Sequence, residues 1–314
     1  METLNNKTGA VKKMQPRVWW KKNYEVLLMI LPGFLALLLF FYYPMLGSVL
    51  AFKDYKLTEG IWGSEWAGFT HFIEMFQGMD FWHVLKNTIV ISVLKLICGF
   101  PMPIILALAL NEVRNAKFKK VVQTCTYLPH FFSWVVLSGI MMMLFSVTGP
   151  FNTMLHAIGF EKPIVFFGEK TPFLVMVIAS SVWQGMGWSA IVYIAAISGI
   201  DESLYEAAYM DGANKFKQIV HITLPSIVPT ITTVLIMNLG KVLNAGFDQI
   251  YNLYTPAVYE VADIIDTYSL RQLRSMDYEL GTAIGLFKSL IGFFMVMGSN
   301  WVIKKLSDDE LGIL

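Results

Sequence analysis

The sequence predicts an all-α membrane protein in which six transmembrane helices form one domain. Hydrophobic residues make up 55% of the chain and charged residues only 15%, whereas a soluble domain carries about 25% charged residues. Three runs, at 26–52, 121–160 and 171–200, contain no Asp, Glu, Lys or Arg. Each run exceeds the roughly 20 residues that a helix needs to cross a bilayer, so each is expected to form a span.

The other three spans are predicted at 88–110, 227–247 and 282–303, where apolar stretches of suitable length carry one lysine each. These lysines are Lys95, Lys241 and Lys288. A charge at bilayer depth is expected to face the bundle interior or a water-filled cavity. The first apolar run has no small-residue cleavage site behind a short core, which favours an uncleaved span over a signal peptide.

The distribution of basic residues predicts the orientation. If the start of the chain is cytoplasmic and the spans alternate, fourteen basic residues lie in cytoplasmic segments and six in external ones, which satisfies the positive-inside rule. Both termini are then cytoplasmic, and so is the loop at 199–225. The chain divides into an N-terminal tail at 1–24, a six-span domain at 25–306 and a C-terminal tail at 307–314.

The external segments carry thirteen acidic residues against those six basic ones. This excess is typical of ordinary solvated loops. Repulsion of acidic substrates and docking of a basic surface are the alternatives.

The cytoplasmic loop predicts a helix, a sharp turn and a second helical stretch. Residues 202–210 are strong helix formers with acids in the first turns, which complements the helix dipole. Gly212 supplies a residue that tolerates a positive φ. The loop also carries apolar anchors of the kind found in interface cores, namely Leu204, Tyr205, Tyr209, Met210 and Phe216. A membrane-surface helix is the alternative, but four acids precede the first lysine, and such helices are rich in basic residues.

Seven fixed positions in this loop form a spaced motif. They are Glu206, Ala207 and Ala208, then Gly212 after three residues, then Ile222, Leu224 and Pro225 after nine more. With average residue frequencies, such a match arises by chance on the order of once in a million chains of this length. The motif resembles the EAA loop by which permease subunits of binding-protein-dependent ABC importers contact their ATPases.

The resemblance implies the type I ABC importer permease fold, with the loop as the coupling helix. It assigns ATPase coupling to Glu206, Ala207, Ala208, Tyr209, Asp211, Gly212, Ala213, Phe216, Ile222, Leu224 and Pro225. The implied partners are a second homologous permease, two cytosolic ATPases, and an extracytoplasmic solute-binding lipoprotein or periplasmic protein, in a bacterial plasma membrane. Membrane lipid surrounds the spans, and nucleic acid is not a partner. ATP and Mg belong to the ATPase, and this chain needs no cofactor or metal, because it has no Gly-rich Walker loop.

The resemblance extends beyond the loop. Residues 85–225, with the turn at 111–114 and the break at Leu128 and Pro129, look like the core of sugar-importer permeases. The aromatic-rich segments 247–254 and 265–268 resemble the subgroup that imports oligosaccharides and polysaccharide fragments. The chain is therefore expected to be a permease for such cargo and not an enzyme.

Two groups of residues are candidates for the substrate pathway. Asn238, Lys241, Asn244 and Asp248 follow one another at helical spacing and predict one polar stripe, bordered by Tyr251. Amides, charges and aromatic faces suit sugar hydroxyls and rings, while packing against the partner permease is the alternative. Trp183 and Trp188 form the second group, beside Gly185 and Gly187, which permit close helix approach; core packing is the alternative for these.

Other function classes remain open at this point. A permease for peptides or amino acids has the same coupling loop, and an ion-coupled secondary transporter would also use intramembrane lysines. A membrane-embedded enzyme is disfavoured, because the five histidines are scattered and no nucleophile or metal-ligand motif is present. Cys98 and Cys125 suggest neither a disulfide framework nor a metal site.

Overall fold

The computed structural model describes residues 16–240 and 242–306, and this part of the chain is almost entirely helical. Predictions on residues 1–15, on Lys241 and on the tail at 307–314 lie outside it. Five of the described helices are long and apolar enough to cross a membrane, and a bent pair makes six if it is counted as one span. The prediction of a helical bundle with several spans is confirmed.

The first span, Asn23–Phe52, consists of four consecutive helical segments. They are α1 (Pro16–Leu37), a π turn at Leu38–Tyr42, α2 (Tyr43–Met45) and a 3₁₀ helix at Leu46–Phe52. The rest of the chain buries none of its most apolar stretch. An exposed apolar surface of this extent is typical of contact with lipid or with another subunit.

A small layer at one end of the bundle follows the first span. Strand β1 (Lys53–Asp54) pairs antiparallel with β2 (Glu65–Trp66), with α3 (Gly60–Gly63) between them and α4 (Thr70–Gln77) after them. The Lys53 ammonium is buried and donates hydrogen bonds to the carbonyls of Trp62 and Ser64, at 3.2 and 3.0 Å.

The second span combines α5 (Met79–Gly99) and α6 (Pro101–Glu112). Phe100 between them has helical dihedral angles, with φ −68° and ψ −41°. Proline is tolerated in the first turn of a helix, so the chain stays helical across the interruption. This span begins nine residues earlier than the predicted 88–110.

The third apolar run, predicted as one span at 121–160, is not one continuous helix, and it makes a span only if a bent pair of helices is counted as one. It comprises α7 (Ala116–Tyr127), a 3₁₀ turn at Leu128–Phe131, α8 (Trp134–Leu144) and α9 (Pro150–Ala157). The chain bends by 107° between the 3₁₀ turn and α8. Pro129 lacks a backbone N–H, and the Ser133 hydroxyl caps the new helix by accepting a hydrogen bond from the N–H of Val136 at 3.4 Å.

The remaining helices run to the end of the described chain. They are α10 (Lys170–Ser198), α11 (Glu202–Met210), α12 (Lys215–Gln218), a π turn (Ile219–Thr223), α13 (Leu224–Leu239), α14 (Phe247–Leu253), a 3₁₀ turn (Pro256–Val258), α15 (Tyr259–Ala262), α16 (Ile265–Arg274) and α17 (Tyr278–Leu306). The span that contains α13 begins at Lys215, because α12 and the π turn lead directly into it.

This fifth span ends earlier than predicted. We expected 227–247, but α13 stops at Leu239, and residues 242–246, which we call the non-helical segment, lead to Phe247. Gly246 has a φ of +88°, a left-handed conformation that glycine adopts without steric cost. The span is therefore broken where the sequence alone suggests continuity.

Three buried clusters hold the helices together. The first joins α6, α10 and α13 through Ala107, Ala190, Tyr193 and Ile227. The second joins α8, α10 and α14 through Met141, Phe173, Val177 and Ile250. The third joins α4, α5, α16 and α17 through Met75, Phe81, Tyr268 and Ile284. Gly187 lets α10 approach α7 closely, because a Cβ at this position would lie 2.1 Å from the carbonyl oxygen of Thr126. The close approach predicted at Gly185 and Gly187 is confirmed at Gly187 only, because no atom lies within 4 Å of the place a Cβ would occupy at Gly185.

Candidate functional site

The loop between α10 and α13 forms the helix and turn that the sequence predicts. Asp201 caps α11, because its Oδ1 accepts a hydrogen bond from the N–H of Ser203 at 2.9 Å. That bond lowers the pKa of Asp201 below its ordinary range. The ionised carboxylate also lies at the positive end of the helix dipole, which it stabilises.

Gly212 makes the turn after α11. Its φ is +75°, and no atom lies within 4 Å of the place a Cβ would occupy. The N–H of Gly212 donates to the carbonyl of Tyr209 and the N–H of Ala213 to that of Ala208, at 3.0 and 2.9 Å. Glycine is therefore required here by the backbone conformation and not by crowding.

The loop forms hydrogen bonds with the first residues of the fifth span. The Tyr205 hydroxyl lies 2.8 Å from the Thr223 hydroxyl, and the buried Gln218 amide donates to the carbonyl of Ala213 at 3.3 Å. Lys215 also forms an ion pair with Glu112 at 3.5 Å, which joins the loop to the end of α6. The loop thus contacts both the fifth span and the end of the second span.

The opposite face of the loop is exposed and apolar. Tyr209, Met210 and Phe216 are each at least 73% exposed. Glu206 is also exposed and forms no ion pair within the described part of the chain. Large apolar side chains around an unpaired carboxylate are typical of a surface that contacts a protein.

The predicted polar stripe does not exist as one helical face. Asn238 lies in the last turn of α13, Asn244 lies in the non-helical segment, and Asp248 lies in α14. Lys241 is outside the described residues. The prediction is wrong in its geometry, because helical spacing cannot extend across the segment between Leu239 and Phe247.

The structure nevertheless brings two of these residues together. Asn238 and Asn244 both line a cavity of about 350 Å³ between α5, α10 and α13, which we call the central cavity. Asp248 is exposed and is not among its lining residues. Tyr251 stacks on Phe247 with ring centroids 5.2 Å apart and accepts a hydrogen bond from the Arg274 guanidinium.

The two tryptophans lie on another face of α10. Trp188 stacks on the ring of His130 at 4.8 Å, and Phe131 meets it edge-on at 5.6 Å. Trp183 lines a separate apolar cavity of about 700 Å³ with residues of α7 and α8. Neither tryptophan lines the central cavity, whereas Gly185 between them does.

Lys95 lines the central cavity, as expected for an intramembrane lysine, although it was not among the predicted residues of the substrate pathway. Its ammonium donates to the carbonyl of Ala245 at 2.7 Å and to the side-chain oxygen of Gln249. The Gln249 amide in turn donates to the carbonyl of Val177 and the hydroxyl of Ser180, at 2.7 and 2.8 Å. The signal for this residue in the sequence is a single lysine within an otherwise apolar span.

Lys288, the third intramembrane lysine, has a different environment. Its ammonium forms hydrogen bonds at 2.6 and 2.7 Å with both carboxylate oxygens of Asp266. The pair borders a second cavity of about 600 Å³, which Asn244 also lines. The charge of Lys288 is therefore neutralised within the chain.

The segment from α14 to α16 is held by an ion pair and stacked rings. Arg271 binds the buried carboxylate of Asp263 at 2.7 Å, and its guanidinium lies over the rings of Tyr259 and Tyr268. Burial raises the pKa of Tyr254 to about 12. These contacts fix an aromatic surface at the end of the bundle opposite the loop.

Comparisons with known proteins agree on one kind of protein. A model of the family described as "Binding-protein-dependent transport system inner membrane component" matches residues 99–308. "Protein LplB" of Bacillus subtilis (strain 168) is 41% identical over 318 residues, which cover 99% of this chain and 100% of that protein. The "Polygalacturonan/rhamnogalacturonan transport system permease protein YteP" of the same organism is 45% identical over 286 residues, covering 90% and 89%.

A solved structure has the same fold. It is described as a bacterial ABC transporter involved in the import of the acidic polysaccharide alginate. One of its chains matches with a TM-score of 0.86 and 39% identity, over 93% of this chain and 99% of that one.

Proposed function

The chain belongs to the family of binding-protein-dependent transport system inner membrane components, and from this premise we propose that it is the permease subunit of an ATP-driven importer of oligosaccharides or polysaccharide fragments. The names of its relatives support this cargo, since one is a polygalacturonan and rhamnogalacturonan permease and another belongs to an alginate importer. The permease itself carries out no hydrolysis, and ATP and Mg bind to its partner ATPases.

The loop between α10 and α13 is the observation that carries this proposal. α11 presents Glu206 and the exposed Tyr209 and Met210 to an ATPase, whose arginine would hold the carboxylate bidentately. Closure of the ATPases displaces α11, and the Tyr205–Thr223 and Lys215–Glu112 contacts pass that displacement into the fifth and second spans. The spans then alternate between inward-open and outward-open arrangements.

The proposed arrangement in the membrane follows from the loop. With the loop cytoplasmic, the bent pair of α7 and α8 counts as one span, and residues 25–306 form six spans between cytoplasmic tails at 1–24 and 307–314 in a bacterial plasma membrane. A second permease, two ATPases and an extracytoplasmic binding protein complete the importer. The unburied apolar surface of the first span supports a protein or lipid neighbour along its most apolar stretch.

The test is uptake by the complete importer in proteoliposomes. We expect a labelled oligosaccharide to enter only with ATP, with the binding protein and with an ATPase that retains its Walker lysine. Uptake driven by an ion gradient without ATP would establish a secondary transporter instead. Uptake of peptides or amino acids but not of sugars would refute the cargo class.

A further inference from the structure

The central cavity is lined by one lysine and by two buried hydroxyls that lack hydrogen-bond partners within the described part of the chain. Its polar lining comprises Ser92, Lys95, Ser181, Ser189, Tyr193, Asn238 and Asn244. The hydroxyls of Ser92 and Tyr193 are buried and have no hydrogen-bond partner within the described part of the chain. Buried polar groups are normally satisfied by protein, water or ligand, so these two hydroxyls point to a hydrogen-bonding occupant.

Lys95 is the only ionisable side chain with a full charge among the described lining residues. Its two hydrogen bonds go to neutral oxygens, those of Ala245 and Gln249. No carboxylate in the described chain lies within ion-pair distance of its ammonium. Lys288 provides the contrast within the same bundle, because Asp266 neutralises it there.

An unneutralised cation inside a membrane bundle is energetically costly and usually marks a pathway for a charged or polar solute. An ammonium that binds a carboxylate gains the attraction between two opposite charges, which the bonds of Lys95 to neutral oxygens lack. Serine, asparagine and tyrosine groups around it match the hydroxyls of a sugar ring. A volume of about 350 Å³ is at the small end of the range for ligand sites, so the cavity holds a section of an oligosaccharide.

We propose that the central cavity is a substrate site for sugars that carry a carboxylate, and that Lys95 binds that carboxylate during transport. This rests on the proposed function, which left the charge of the cargo open. Three of the thirteen external acids are neutralised by partners within the described chain: Asp263 by Arg271, Glu260 by Lys170 and Asp266 by Lys288.

The experiment compares two probes that differ only in charge. Trigalacturonate and its methyl ester have the same rings, and both are offered to proteoliposomes of the complete importer with one binding protein. The measured quantity is the ratio of acid to ester uptake, so that selection by the binding protein cancels between permease variants. Lys95→Gln is expected to lower this ratio at least about tenfold, while Lys95→Arg restores most of it.

The test also includes a matched control variant and a substitute for Lys95→Gln. Lys86→Gln is the matched control, since Lys86 lies on the same helix but is exposed and does not line the cavity, and it should keep the wild-type ratio. If Lys95→Gln fails to assemble, Asn238→Asp keeps Lys95 and places a competing carboxylate in the cavity, which should also lower the ratio.

Two results would overturn the proposal. An equal loss of acid and ester uptake in Lys95→Gln would make Lys95 a positioning residue for the segment at 242–249. An unchanged ratio in both Lys95→Gln and Asn238→Asp would place the carboxylate elsewhere. Uptake of a neutral oligosaccharide but of neither probe by the wild-type importer would refute this proposal alone, whereas no ATP-driven uptake of any sugar would refute the carbohydrate cargo.

Discussion

Replacing Glu206 with alanine isolates the contact between the loop and an ATPase. The carboxylate is exposed and pairs with nothing in the described chain, so its removal should change the stability of the permease by less than about 0.5 kcal/mol. A charge-assisted hydrogen bond at an interface contributes about 1.5–3 kcal/mol. The dissociation constant of the ATPase should therefore rise roughly 10- to 150-fold.

The assay is equilibrium binding of the ATPase to the permease pair in nanodiscs, with ATP-driven uptake measured on the same preparation. Glu202→Ala is the matched control, because Glu202 is exposed on the same helix one turn earlier. The control should bind nearly as the wild type does. Equal dissociation constants for Glu206→Ala and Glu202→Ala, with normal uptake, would refute the assignment of Glu206 to the interface.

Three other predictions test the turn, the cavity and the helix cap. Gly212→Val should strain the backbone by about 1–3 kcal/mol and weaken co-purification of the ATPase. Because no atom lies close to the new side chain, this loss can come only from the left-handed backbone, and normal co-purification would contradict the left-handed turn. In a background without native cysteines, Asn244→Cys should react with an impermeant thiol reagent, and the rate should change when the ATPases are trapped closed. Ala245 is buried and does not line the central cavity, so Ala245→Cys should stay protected, and equal rates at the two positions would contradict a water-filled cavity. Because its pKa is lowered from 3.8, ionised Asp201 should support α11 at all pH values above about 4 and lose this effect as the pH falls through its folded pKa. ATPase binding that weakens between pH 8 and 5 in the wild type, but not in Asp201→Asn, would contradict this.

Features set by neighbouring residues could be predicted from the sequence. The turn at Gly212, the helix before it and the close approach at Gly187 each depend on local conformation or on the size of one residue. The spans were found because hydropathy reports the solvent around a segment. Hydropathy does not report the direction of the helix axis, so it could not predict the bend of 107° within the run at 121–160.

The central cavity could not be predicted in the same way. Lys95 meets Gln249 across more than 150 residues of sequence, and no periodic pattern connects them. Asn238 and Asn244 were selected for a helical spacing that the chain does not have, yet both line the cavity because the non-helical segment folds back over it. The residue types were informative, but only the tertiary fold places them together.

The π turn at Ile219–Thr223 lets the loop accommodate a change in length. A π turn accommodates one more residue than an α-helical turn, and this one lies between Gly212 and the start of α13 at Leu224. Deleting one residue there would remove the extra residue and convert the turn to regular helix, with little rotation of the flanking segments. Deleting one residue from α12 would instead rotate α11 by about 100° relative to the fifth span. Single-residue deletions in α12 should therefore be tolerated far less well than deletions in the π turn, which can absorb a change of one residue in the spacing.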